Sequence, residues 1–232
     1  MEVVTAVTQS EAATTGLGGA GRRQRSQARQ NRARIIEAAI TAFAADPDSS
    51  MDDVAQAAGV VRRTVYAHFD SRESLISGIV DEASADLVYA LQRAGKPPRS
   101  PELATAVLAL LAWPVGDRFR MLLGFARREL GDQKIFDLME PARAISIAVV
   151  EQGQKDGVFS TYLPAQTVVA MTEAVTITLF DQANSGIVTD SGESLAKVCL
   201  VLAGVSPAES ERVVADAWKW IRESVTSESP GV

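Results

Sequence analysis

Only one cysteine and one histidine occur in this chain of 232 residues. The lone Cys199 leaves no internal disulfide framework, which fits a reducing compartment. It sits in the apolar run Val198-Cys199-Leu200-Val201-Leu202, so it reads as a small buried hydrophobe rather than a reactive thiol. With His68 as the sole imidazole, neither a zinc site nor a nucleophile–histidine pair can be assembled. No stretch approaches the roughly 20 apolar residues that span a bilayer. Met1 to Ala20 lacks the cationic start and apolar core of a secretory signal. Glycine-rich phosphate loops and a Gly-x-Ser-x-Gly elbow are also missing. These absences point away from an enzyme, a metal, a cofactor or a membrane, and toward the cytoplasm. Neither an alternating strand pattern nor an internal repeat stands out.

What is present is unevenly distributed. The net charge of −6 argues by itself against a nucleic-acid partner. Residues 1–73, however, hold 9 basic and 9 acidic side chains, whereas residues 74–232 hold 14 and 20. Arg22, Arg23, Arg25, Arg29, Arg32 and Arg34 run without an intervening acid. An acidic body behind a basic N-terminal end is the asymmetry of a nucleic-acid-binding head on a different kind of domain.

From about Ala28 onward the hydrophobic period is helical. Residues 1–21, rich in Thr, Gly, Ala and Ser, read as a disordered tail. Periodicity begins near Ala28 and places Ile36, Ala39, Ile40 and Phe43 on one helix face. Asp46-Pro47-Asp48 breaks it. Ser50 with Asp53 three residues on makes a capping-box-like start to a short helix, which Gly59 ends. A second short helix follows over about Arg62 to Phe69, and Ser71 caps a long one from about Arg72 to Ala94. Past the Gly/Pro interruption at 95–101, helical segments are expected at about 101–113, 115–129, 132–157, 164–185, 191–203 and 207–225, with Pro114 and Pro141 among the residues that punctuate them.

Two short helices joined through Gly59 have the layout of a helix-turn-helix, whose second helix presents its N-terminal residues to base edges in the major groove. Val60, Val65 and Phe69 are spaced to pack inward, leaving Arg62, Arg63, Thr64, Tyr66 and His68 outside. The run RARIIEAAITAF…SSMDDVAQAAGVVRRTVYAHFDSRESL resembles the DNA-binding domain of the tetracycline-repressor (TetR) family over about residues 29–80. The matching positions are Ala39 and Phe43; Ser49 and Ser50; Val54, Ala55, Ala58, Gly59 and Val60; Thr64 to Phe69; and Arg72 with Glu73. The resemblance implies phosphate contacts from Thr64, Tyr66, His68, Arg72 and Ser50, with base readout on Arg62 and Arg63. Two positions depart from the family pattern. Val61 replaces the usual serine, which removes the N-cap of the recognition helix, and Arg63 replaces a small residue. The arginine-rich segment, including Arg29 and Arg32, reads either as an arm in the minor groove or along phosphates, or as a solvated lead-in to the first helix.

By the same resemblance the fold is all-α. A three-helix head (residues 22–73) is joined by a long helix to a helical ligand-binding and dimerisation body (74–232). The body carries no motif with chemistry, and its apolar residues read first as bundle core. An effector pocket is expected among its middle helices, drawing on Trp113, Phe119, Arg120, Phe125, Met139, Met171, Thr172 and Thr176. A homodimer interface is expected mainly over 164–185 and 206–225, the latter with Trp218 and Trp220. The function so implied is a repressor released from a pseudo-palindromic double-stranded operator by a small apolar or amphipathic molecule. The alternative is a helix-turn-helix regulator controlled by a protein partner.

Overall fold

The computed structural model describes residues 14–93 and 98–227. Among these, ten helices and no strands occur. They fall into two compact units, one reaching to Leu75 and the other beginning at Ile76.

The first unit contains α1 (Thr14–Ala45), α2 (Met51–Ala57), α3 (Arg62–His68) and the start of α4 (Arg72–Arg93). The expected face of α1 is its buried face, with Ile35 added to Ile36, Ala39, Ile40 and Phe43. These side chains share a core with Val54, Ala58, Val65, Phe69 and Leu75. Ser50 closes a full capping box: its Oγ accepts from Asp53 N–H, and its own N–H donates to the Asp53 carboxylate at 2.8 Å. Gly59 takes the left-handed φ of 62° that turns the chain from α2 toward α3. At the start of α4, Ser71 and Ser74 cap each other reciprocally.

The second unit holds the rest of α4 and α5 (Pro101–Leu130), α6 (Asp132–Leu138), α7 (Glu140–Lys155), α8 (Ala165–Asn184), α9 (Glu193–Leu202) and α10 (Pro207–Ser227). Its core centres on α5, which packs against α7, α8, α9 and α10. Cys199 lies buried here, and burial pushes its thiol pKa up to about 12, so it stays neutral and inert.

Three elements differ from the sequence reading. Helix α1 starts at Thr14, so residues 14–21, read as tail, are helical, and the arginine segment continues the helix rather than forming a free arm. The Arg and Gln residues from Arg22 on are good helix formers, and over the glycine-rich 14–21 the helix rests on propagation from its anchored part, which is far easier than nucleation. The remainder of the expected tail, residues 1–13, lies outside the described residues. The segments 101–113 and 115–129 form one helix through Pro114. An interior proline costs about 3 kcal/mol; burying Leu110 and Trp113 beside it, at about 1.5–3 kcal/mol for a side chain of leucine size, offsets that. The segment 132–157 is two helices, because Pro141 sits in the first turn of α7, where its missing N–H costs nothing.

Tight packing at glycine generates a stability prediction. Gly192, at φ 108° before α9, lies so close to Trp113 that an added Cβ would meet the indole-bearing Cβ at 2.7 Å. Gly124, within α5, has nothing within 4 Å of such an atom. Gly192→Ala is expected to destabilise the protein by at least about 2 kcal/mol, and Gly124→Ala to stabilise it by about 0.5–1 kcal/mol. Urea unfolding midpoints of the two variants check both signs.

Candidate functional site

Helix α3 is built so that one side is buried and the other is open. Val65 is fully buried and Phe69 nearly so, while Arg62, Arg63 and Tyr66 are exposed and Thr64 and His68 are half-exposed. Val61 occupies the N-cap with no side-chain hydrogen bond, as its side chain dictates. The Val61 carbonyl instead accepts from Thr64 N–H at 2.8 Å. Arg63, Thr64 and His68 make no side-chain hydrogen bond among the described residues. They form the uncommitted part of the surface.

Arg62 is already engaged. Its Nη1 pairs with Asp52 Oδ2 at 2.6 Å, and its guanidinium lies 5.1 Å over the Tyr66 ring. Asp52 belongs to the first turn of α2, so the pair ties the start of one short helix to the start of the next. Both side chains are more than half exposed, and such pairs contribute at most about 1 kcal/mol. A phosphate or guanine can therefore compete for Arg62.

Three residues expected at DNA have structural tasks. The Ser50 hydroxyl and N–H both serve the capping box, and hydrogen bonds from Ser50 hold the Asp53 carboxyl below its ordinary pKa. Arg72 directs Nη1 and Nη2 to the carbonyls of Ser49 and Pro47 and lays its guanidinium 4.8 Å over Phe43. It braces the α1–α2 connection. The fork of an arginine suits two neighbouring carbonyls as well as it suits a phosphate, and sequence spacing does not distinguish them. Arg32 stacks 5.2 Å over Phe69, half-buried, whereas Arg29 on α1 is exposed.

Among the described residues of the body, two cavities adjoin. The larger, about 130 Å³, lies among α4, α5, α6, α8 and α9 and is lined by Phe119, Arg120, Met139 and Thr176 of the expected set. The smaller, about 100 Å³, is lined by Met139, Thr172 and Thr176. Trp113, Phe125 and Met171 line neither. Helical phase is the reason. On α5 the lining stripe runs Ala112, Gly116, Phe119, Arg120, Leu123, and Trp113 falls behind it, 5.0 Å from Phe180 in the core. Phe125 is likewise buried off the stripe, and Met171 is 37% exposed on the outer side of α8. The sequence reading missed Phe136, Ile177, Phe180 and above all Glu173. Glu173 did leave a signal: it is the sole charged residue between Ala165 and Phe180.

The two helices expected at a dimer interface have different outer surfaces. On α8, Ala170, Met171, Ala174 and Thr178 are exposed and uncharged. On α10 the exposed residues include Glu211, Arg212, Asp216, Lys219 and Arg222. Trp218 packs inward and donates its indole N–H to Glu193 Oε1 at 2.9 Å, and Trp220 is half-buried against the core. Among the described residues no helix is long and apolar enough to cross a membrane, and no group of three or more His, Cys, Asp or Glu is placed to hold a metal ion.

The head is thus a helix-turn-helix domain. Its residues 35–79 match the family model described as "Bacterial regulatory proteins, tetR family". The HTH-type transcriptional regulator TtgW of Pseudomonas putida is 36% identical over 61 residues, 25% of this chain and 46% of TtgW. The chain therefore spans less than half the length of the curated relatives it matches. Over the whole fold it is similar to RolR in complex with resorcinol, with a TM-score of 0.56 and 19% identity, covering 82% of this chain and 95% of RolR. It is also similar to LfrR of Mycobacterium smegmatis in complex with proflavine, with a TM-score of 0.60 and 17% identity, covering 76% and 96%. Residues 35–79 thus carry a DNA-binding head of the tetR type, and the body shares its fold with TetR-like regulators.

The restraint on Arg62 is testable. Asp52→Ala is expected to tighten binding to random-sequence duplex DNA several-fold at low salt, because it frees a cation and removes a repelling charge. Measured by fluorescence anisotropy, unchanged affinity would show that Asp52 has no influence on the DNA-facing surface.

Proposed function

We propose that this chain is a transcriptional repressor that binds a pseudo-palindromic operator as a homodimer and leaves it when a small apolar or amphipathic molecule enters the body. The open face of α3 carries this reading: Arg62, Arg63, Thr64, Tyr66 and His68 project from a helix whose opposite side is locked into the head core. Arg63 and Arg62 serve base readout, since guanidinium matches guanine O6 and N7, while Thr64, Tyr66 and His68 hold phosphates. Arg29 extends the contact along α1. Residues 22–73 form the reading head and residues 74–232 the sensing and dimerising body.

The uncharged outer face of α8 suits the centre of the dimer, since small residues at i, i+4 and i+8 let two helices approach closely; α10 supplies the charged rim. Dimerisation sets two α3 helices about one DNA turn, roughly 34–36 Å, or somewhat more apart. The paired cavities give the effector a place to bind. RolR and LfrR, whose folds this chain shares, hold resorcinol and proflavine. An effector that prefers the conformation with misplaced heads shifts the population off DNA by that difference in affinity and no more.

Selection from random duplex DNA by the purified protein is expected to return a palindrome. On that site Arg63→Ala should weaken binding about 5- to 100-fold and relax one base position, and Tyr66→Phe should weaken it less and uniformly. Mobility shifts unchanged in both variants overturn the assignment. Ala174→Arg is expected to convert the dimer to monomer in size-exclusion chromatography with light scattering; a dimer that persists moves the interface elsewhere.

A further inference from the structure

The two cavities are adjoining lobes with a common lining of Ala112, Met139, Glu173, Thr176 and Leu195. Each lobe is near the size of an apolar cavity that takes a single benzene ring, about 150 Å³. Glu173 is the one carboxylate on the lining, and its side chain is only 12% exposed. Its Oε1 accepts from Arg143 Nε at 2.8 Å. Arg143 is fixed from its other edges, with Nη1 on Glu140 Oε2 at 2.6 Å and Nη2 on the Phe136 carbonyl at 2.9 Å. It therefore cannot swing to serve both Glu173 oxygens.

Glu173 Oε2 has no protein hydrogen bond among the described residues. No fully buried side-chain oxygen or nitrogen among them lacks a partner, so this oxygen keeps contact with solvent, on a residue that lines both lobes. The nearby hydroxyls do not compete for the role: Thr172 and Thr176 donate to carbonyls of their own helix. An apolar ligand that offered Oε2 no donor would strip it of water and leave a desolvated charge, at substantial cost.

Charge narrows the class further. Arg143 already balances Glu173, and Arg120 and Arg127 also line the larger lobe, so an added cation is disfavoured. Arg120 in turn is bound to Asp117 and Asn184, which removes it as an anchor for an anion.

Resting on the reading of this space as the effector site, we propose that the effector is an uncharged one- or two-ring molecule bearing a hydroxyl or similar hydrogen-bond donor, which donates to Glu173 Oε2 while its apolar rings fill the lobes. Arg143 acts as the positioning residue that presents that oxygen.

Calorimetric titration of the full chain with 2-naphthol, 2-methoxynaphthalene, naphthalene and 2-naphthoate tests this. The expected result is that 2-naphthol binds at least ten-fold more tightly than its methyl ether and that 2-naphthoate binds more weakly still. In Glu173→Gln the amide oxygen stays on Arg143 and its NH2 faces the space, so the preference for naphthol over the ether should fall below three-fold or invert. Should that variant fold poorly, the gap in the wild-type protein decides alone. Equal affinity for naphthol and ether, tighter binding of naphthoate, or a gap that survives Glu173→Gln overturns the donor assignment while leaving the effector site in place. Binding of none of the four probes overturns the effector site itself, and this proposal with it.

Discussion

Helix α3 has seven residues and no side-chain cap, too short to persist by its own hydrogen bonds. It exists because Val65 and Phe69 are buried against α1 and α2, and because Gly59 turns the chain so that they can be. Everything that faces outward depends on this anchoring. Val65 fixes the rotation of the helix about its axis, and that rotation decides that Arg62, Arg63 and Tyr66 face solvent. Arg72 and Arg32 stiffen the same assembly, the first by bracing the carbonyls of Pro47 and Ser49, the second by stacking on Phe69. Cations that look like phosphate ligands in the sequence thus hold the frame in which other cations can act.

The body solves a different problem. Its cavities persist within a close-packed core, where packing normally closes such spaces. Here the α5 stripe presents the small Ala112 to both lobes, and Gly116 leaves room for the Phe180 ring on the wall of the larger one. Gly116 lies so close to Phe180 that an added Cβ would meet the ring at 2.0 Å. The one carboxylate on the lining, Glu173, is paired with Arg143. A paired carboxylate is tolerable in such a setting and an unpaired one is not, so the partner is what allows Glu173 to stay inside.

Much of the head was legible in advance because its determinants are local. A capping box, a positive-φ glycine and a 3.6-residue period each act within a few residues. The missing cap at Val61 was equally visible. The extent of α1 was not, since glycine-rich composition argued for a tail while the helix propagates from its anchored end. Nor was the continuity of α5 through Pro114, where burial outweighs a local penalty.

Residue order alone settles the helical class, the helix-turn-helix and which side of α3 is open. Each follows from spacing over a turn or two. Packing in three dimensions decides which arginines are committed, because Arg72, Arg32 and Arg62 find their partners at carbonyls, a ring and a carboxylate that lie far along the chain or on another helix. It also decides which apolar residues surround a cavity and which fill the core. Trp113 and Phe119 look alike in sequence, and the packing of α5 against α8 and α9 separates them.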